Sequence, residues 1–240
     1  MELQLYMDSG TRKMFQERHR FYAEQIRQRV LSQFRNIEQE AQRFADTEYQ
    51  RLASLPCGED GGDLGAAAEQ AEDAATGFYV LLDDLEKQVT LGALAGMYHQ
   101  WEKDLRDFLE RELQISIIPS IAKEVAWKDP NIERLFDLLE EFGWPLRTQA
   151  WFPKLEACRL VVNVYKHGKG RSLDQLAAKH PAYLKSPLYE ILPRDRQDPD
   201  YQYLTLTEAQ FREFDDSIAS FWSQFPERLF LPLEKPMSQN

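Results

Sequence analysis

The sequence predicts an all-α protein, a helical bundle built on a long antiparallel helical hairpin. Three observations predict it. Apolar residues recur every three or four positions over most of the chain. No Gly or Pro interrupts the long stretch from Thr11 to Leu55. Only one stretch, "YQYLTLT" (201–207), reads as a strand.

The first helix is expected from about Thr11 to Leu55, entered at Ser9 or Thr11 as N-cap. Phe15, His19, Tyr22, Ile26, Val30, Phe34, Ile37, Ala41 and Phe44 form its stripe, with no Gly or Pro to interrupt it. "PCGEDGGDLG" (56–65) is an expected exposed loop. A second helix follows from about Ala66 to Leu113, its stripe running from Phe78, Leu81 and Leu85 through Leu94, Met97 and Trp101 to Phe108. Gly92 and Gly96 are expected to bend it or to admit a close neighbour. Two long helices joined by a loop pack most simply as a hairpin, here 11–113. An apolar connector with Pro119 leads to a short helix capped by Asp129 and ended by Gly143. A further helix is expected from about Trp151 to His167, stopped by Gly168. "SLDQLAAKHP" (172–181) and the segment from Thr207 each begin with the spacing of a capping box, Ser172 with Gln175 and Thr207 with Gln210. The stretch 181–206 reads as mostly irregular, and the tail after Pro226 as loosely held. No linker separates the hairpin from the later helices (129–225), so one domain over 1–240 is expected.

Hydrophobic residues make up 43% of the 240, enough for a real core. The formal net charge of −11 argues against broad, nonspecific nucleic-acid binding, though not against a small basic site. No apolar run is long enough to cross a bilayer, and the N-terminus lacks the layout of a signal peptide. Two isolated cysteines, Cys57 and Cys158, fit neither a disulfide framework nor a zinc site. A reduced, cytoplasmic protein without membrane association, metal or cofactor is expected.

The segment "EACRLVVNVYKHGKGRS" (156–172) carries the functional question. Between Lys154 and Arg171 stand five basic residues and one acidic, a local +4 on an acidic chain. On a helix Arg159, Asn163 and His167, four apart, form one ridge with Lys166 beside it, while Leu160, Val161, Val164 and Tyr165 face a core. A polar ridge on a buried helix needs a reason, because unpaired polar groups in a core are costly. The structural reason pairs Arg159 with Glu102 or Glu110, Asn163 with a backbone break near Gly92, and Lys166 and His167 with the last carbonyls of the helix. The functional reason is a phosphate or nucleic-acid site. A histidine moves protons near neutral pH, and Arg or Lys offsets charge on a phosphorane-like transition state.

"RLVVNVYKHGKG", preceded by a long helical hairpin, resembles the signature helix of the HEPN superfamily. That resemblance implies a helical bundle of a prokaryotic toxin–antitoxin or antiphage defence system. It implies a homodimer acting as a metal-independent endoribonuclease on RNA, with an antitoxin or defence-complex protein as a further partner. The family pattern is Arg-x(4–6)-His, with a polar residue usually following the arginine. Asn163 and His167 match the polar residue and the histidine. The position before Asn163 is Val162, and Arg159 lies eight residues before the histidine, outside the usual window. The implied roles are His167 as general acid or base, Arg159 and Lys166 on the scissile phosphate, and Asn163 orienting phosphate or ribose. Lys169 and Arg171 would make a second phosphate contact. A noncatalytic helical interaction subunit of a larger defence assembly is the alternative.

Other features have structural explanations. His99 and Glu102 share a helical face without the further ligands a metal site wants, so surface packing accounts for them. His19 lies in a core-type stripe, His180 at a helix terminus, and Ser172 reads as a cap. No P-loop, GxGxxG or GxSxG occurs. The first helix suits either a coiled-coil dimerisation arm or the intramolecular hairpin.

Overall fold

The computed structural model describes residues 2–55, 63–185 and 199–232. Strand β1 (Glu2–Tyr6) leads into α1 (Ser9–Arg29), α2 (Ile37–Ala53) and the long α3 (Leu64–Leu113). There follow α4 (Pro119–Trp127), α5 (Glu133–Glu141), α6 (Phe152–His167), α7 (Arg171–Lys179), α8 (Glu208–Gln224) and β2 (Arg228–Pro232). The protein is all-α, with one small two-stranded sheet among the described residues. None of the described helices is long and apolar enough to cross a membrane.

Contacts divide the chain into two compact units, Met1–Ala23 with Leu94–Asn240, and Glu24–Ala93. In the first, α1 and α3 pair with residue numbers running in opposite directions. Phe15 meets Phe108, Arg18 meets Asp104 at 2.5 Å, and the Tyr22 hydroxyl lies over Gly96. That is antiparallel packing. A Cβ on Gly96 would stand 2.3 Å from the Tyr22 hydroxyl, so this glycine admits a close neighbour. The core of the unit is strongly aromatic. Phe15 stacks on Trp222 at 4.3 Å, and Trp101 meets Phe221 edge-on at 5.1 Å. His19 is buried, with Nε2 2.9 Å from Asp215 Oδ1 and 3.0 Å from its carbonyl, a satisfied core histidine. In the second unit Ala41, Ala45, Ala71 and Ala75 are buried and Phe44 stacks on Phe78 at 4.7 Å. Leu81 and Leu85, placed by periodicity in the apolar stripe, are exposed.

Several boundaries depart from sequence expectation. The expected first helix is two, separated by a 3₁₀ turn at Leu31–Phe34. Ser32 Oγ donates to the Gln28 carbonyl at 2.7 Å, the acceptor its own amide would use in an α-helix. Asp8, rather than Ser9 or Thr11, caps α1: its carboxylate accepts from the Gly10 and Thr11 amides and from the Thr11 hydroxyl. Asp129 likewise accepts from the Asn131 amide, and α5 starts only at Glu133. Ser172 lies inside α7, whose N-cap is Gly170, so its capping-box spacing goes unused, whereas Thr207 and Gln210 form the full box. "YQYLTLT" holds a 3₁₀ turn at Tyr201–Tyr203 and a single bridge, Leu204 to Leu184, instead of a strand. The described part of the tail after Pro226 is held, the rest (233–240) lying outside the described residues: β2 pairs antiparallel with β1, Gln4 opposite Phe230, burying Leu3, Leu5 and Leu229. The expected loop at 56–65 and irregular stretch at 181–206 lie partly outside the described residues.

Helix α6 runs through the first unit's core, with Leu155, Cys158, Leu160, Val161, Val162 and Val164 buried. Burial pushes the Cys158 thiol far above its ordinary range. In a Cys57→Ser chain, Cys158 is expected to resist a disulfide-exchange reagent in the native state and to react fully in denaturant. Rapid reaction of the native chain would show that α6 opens readily.

Candidate functional site

Helix α6 presents its polar ridge where its buried faces run out. The ridge ends at Gly168, which takes φ 67° and donates its amide to the Val164 carbonyl at 2.8 Å. A cleft of about 580 Å³ opens beside it. From α6 the cleft is lined by Arg159, Asn163, Lys166 and His167, and from α7 by Ser172. From α3 come Tyr98, His99, Glu102 and Arg106, and from the α4–α5 link Trp127 and residues 130–132. The four ridge residues therefore share one cleft. Lys169, on the turn, and Arg171, the first residue of α7, stand exposed outside its lining. Tyr165 is 37% exposed, not a core residue.

The cleft wall on α3 is built around Arg106, whose side chain is 5% exposed. Its guanidinium donates to the carbonyls of Ala126 (2.6 Å), Asp129 (3.0 Å) and Pro130 (3.2 Å), tying the α4–α5 link to α3. It also grips Glu102 through Nε at 3.1 Å and Nη2 at 2.7 Å. Glu102 Oε2 lies 3.5 Å from His99 Nδ1. Burial pushes the Glu102 carboxyl up, but the bonds from His99 and Arg106 outweigh it and hold the group below its usual range. His99, Glu102 and Arg106, spaced three and four apart on α3, thus form one braced row.

Arg159 pairs with Glu133 at 2.8 Å, not with Glu102 or Glu110. Glu102 is held by Arg106, and Glu110 accepts from Trp127 Nε1 and from Gln114. Glu133 is itself shared with Arg147, which also binds Asp137 and Glu140. Arg159 Nε and the Tyr98 hydroxyl are buried polar atoms without a hydrogen-bond partner among the described residues. Burial, with Glu102 nearby, pushes the Tyr98 phenol well above its ordinary range, so it is a neutral donor at pH 7. An unpaired buried donor costs about 1–3 kcal/mol, and both of these residues line the cleft. Lys166 and His167 are exposed, and their side chains bond no described residue, which is not the capping role of the structural reading. Asp104, which lies near His99 and Glu102 in the sequence but not on their helical face, is paired with Arg18.

Sequence reasoning found the α6 side of the cleft and missed the α3 side. The available signal was the shared face of His99 and Glu102, which read as surface packing, and Arg106, four residues on, was not considered. Among the described residues no group of three His, Cys, Asp or Glu is placed to hold a metal ion. Fold and site together define an all-α protein with a cleft that joins two histidines to three cations and one carboxylate. Comparison with family models, with curated proteins and with solved structures finds no match to this chain.

Proposed function

We propose that this chain is a HEPN-like, metal-independent endoribonuclease of a prokaryotic defence or toxin–antitoxin system, cytoplasmic and working as a homodimer. One observation carries the reading: Arg159, Asn163, Lys166 and His167 line a single cleft although Arg159 lies eight residues before the histidine. In this reading the ribose 2′-oxygen attacks phosphorus, the 2′-O–P bond forms, the P–5′-O bond breaks, and a 2′,3′-cyclic phosphate is left. His167 moves a proton, Lys166 and Arg159 bind the phosphate, and Asn163 orients it or the ribose. Lys169, on the turn, and Arg171, at the start of α7, contact a neighbouring phosphate. An antitoxin or another defence protein would restrain or trigger the activity.

The alternative, a noncatalytic interaction subunit, is favoured by one contact, the Glu133–Arg159 ion pair, which already engages part of the arginine's charge. The discriminating experiment incubates purified protein with total cellular RNA in EDTA, alongside His167→Ala. Cleavage is expected in the chelator, with a loss of about 10²–10⁴-fold in the variant. Its circular dichroism should be unchanged, because His167 is exposed. No cleavage by the parent chain, with candidate protein partners also tried, would leave the interaction subunit.

A further inference from the structure

Transfer of the phosphoryl group to the 2′-oxygen moves two protons. One leaves the attacking hydroxyl and one must reach the departing 5′-oxygen. In an in-line displacement those oxygens lie on opposite sides of phosphorus, so one imidazole is poorly placed to serve both. The cleft contains a second histidine on a different helix.

We infer that His99 is the second proton-transfer group of this cleft, the general acid that protonates the 5′-oxygen, with Glu102 and Arg106 as its positioning residues. The inference rests on the ribonuclease reading above. Its support is geometric. His99 Nδ1 faces Glu102 at 3.5 Å, which leaves Nε2, on the other side of the ring, free for substrate. The side chain is 46% exposed, accessible yet tethered. Behind it the brace is stiff: Glu102 is held by two bonds from Arg106, and Arg106 by three backbone carbonyls. A carboxylate that served only to neutralise Arg106 would have no need of a half-exposed histidine on its second oxygen. The division of labour follows from position: Glu102, on Nδ1, orients the ring so that Nε2 can give its proton to the 5′-oxygen. On α6 the cleft places Lys166 and Arg159 with His167, the setting for the group that takes the first proton. The proton lost by the 2′-hydroxyl goes to His167, and the 5′-oxygen receives one from His99. The products are a cyclic phosphate and a 5′-hydroxyl.

The test uses an RNA oligonucleotide copying a bond cut in total RNA, with either oxygen or sulfur at the 5′ bridging position. A thiolate leaves without a proton, so sulfur bypasses a missing general acid and nothing else. His99→Ala is expected to cut the oxygen substrate about 10²–10⁴-fold more slowly than the parent chain and the sulfur substrate at nearly the parent rate. His167→Ala should be slow on both. If the parent chain cleaves and His99→Ala is either unimpaired on oxygen or equally slow on both substrates, His99 is not the acid and only this inference falls. If the parent chain cleaves neither substrate nor total RNA, the ribonuclease reading itself falls.

Discussion

Replacing Arg106 with Met is expected to destabilise the folded chain by about 3–5 kcal/mol, the range seen when one partner of a buried ion pair is removed. Met keeps most of the aliphatic volume, so the loss isolates the guanidinium. Three carbonyls, of Ala126, Asp129 and Pro130, lose their donor, and Glu102 is left half-buried with only His99. Urea denaturation followed by circular dichroism measures it, and a change below about 1 kcal/mol would mean water replaces the guanidinium. The pH dependence has a definite sign. Glu102 is depressed in the folded state, so its contribution is present above the ordinary carboxylate range and is lost as pH falls through the lowered folded value. Without Arg106, the lowering that its bonds and charge supply is lost. The variant's deficit should therefore be largest at neutral pH and narrow in acid, where Glu102 is protonated.

Trp222→Ala is expected to cost about 3–5 kcal/mol through the cavity it leaves. For a chain of this size that lowers the midpoint of thermal unfolding on the order of 10 °C. Trp222 is fully buried, stacked on Phe15 of α1 and edge-on to Phe221 at 5.0 Å. It therefore joins α1 to α8. Phe21→Ala is the control: Phe21 is 66% exposed, and its loss should change stability by no more than about 0.5 kcal/mol. Equal effects of the two substitutions would contradict the packing of α1 against α8.

The helical class was legible because a 3.6-residue period over many turns has no other stable reading. The limits of α3 and α6 followed from breakers on either side, and the Thr207–Gln210 box marked the start of α8. The break at residues 30–36 was not legible, since it leaves no Gly or Pro as a sign. The β1–β2 pair had a local trace, Leu3, Leu5 and Met7 at period two. A strand that short becomes one only when its partner arrives, and here the partner lies at the other end of the chain. "YQYLTLT" had the same alternation, but among the described residues it pairs only at the Leu204–Leu184 bridge, and Tyr201–Tyr203 form a turn.

The candidate site divides along the same line. The sequence by itself determined the ridge of Arg159, Asn163, Lys166 and His167, because helical geometry puts residues four apart on one face whatever surrounds them. Only the tertiary structure decided that Arg159 pairs with Glu133, that two buried donors flank the cleft, and that the His99–Glu102–Arg106 row of α3 shares it. Those outcomes depend on which helices meet, and that is set by the aromatic core, whose contacts join residues far apart in the chain and leave no periodic mark in it.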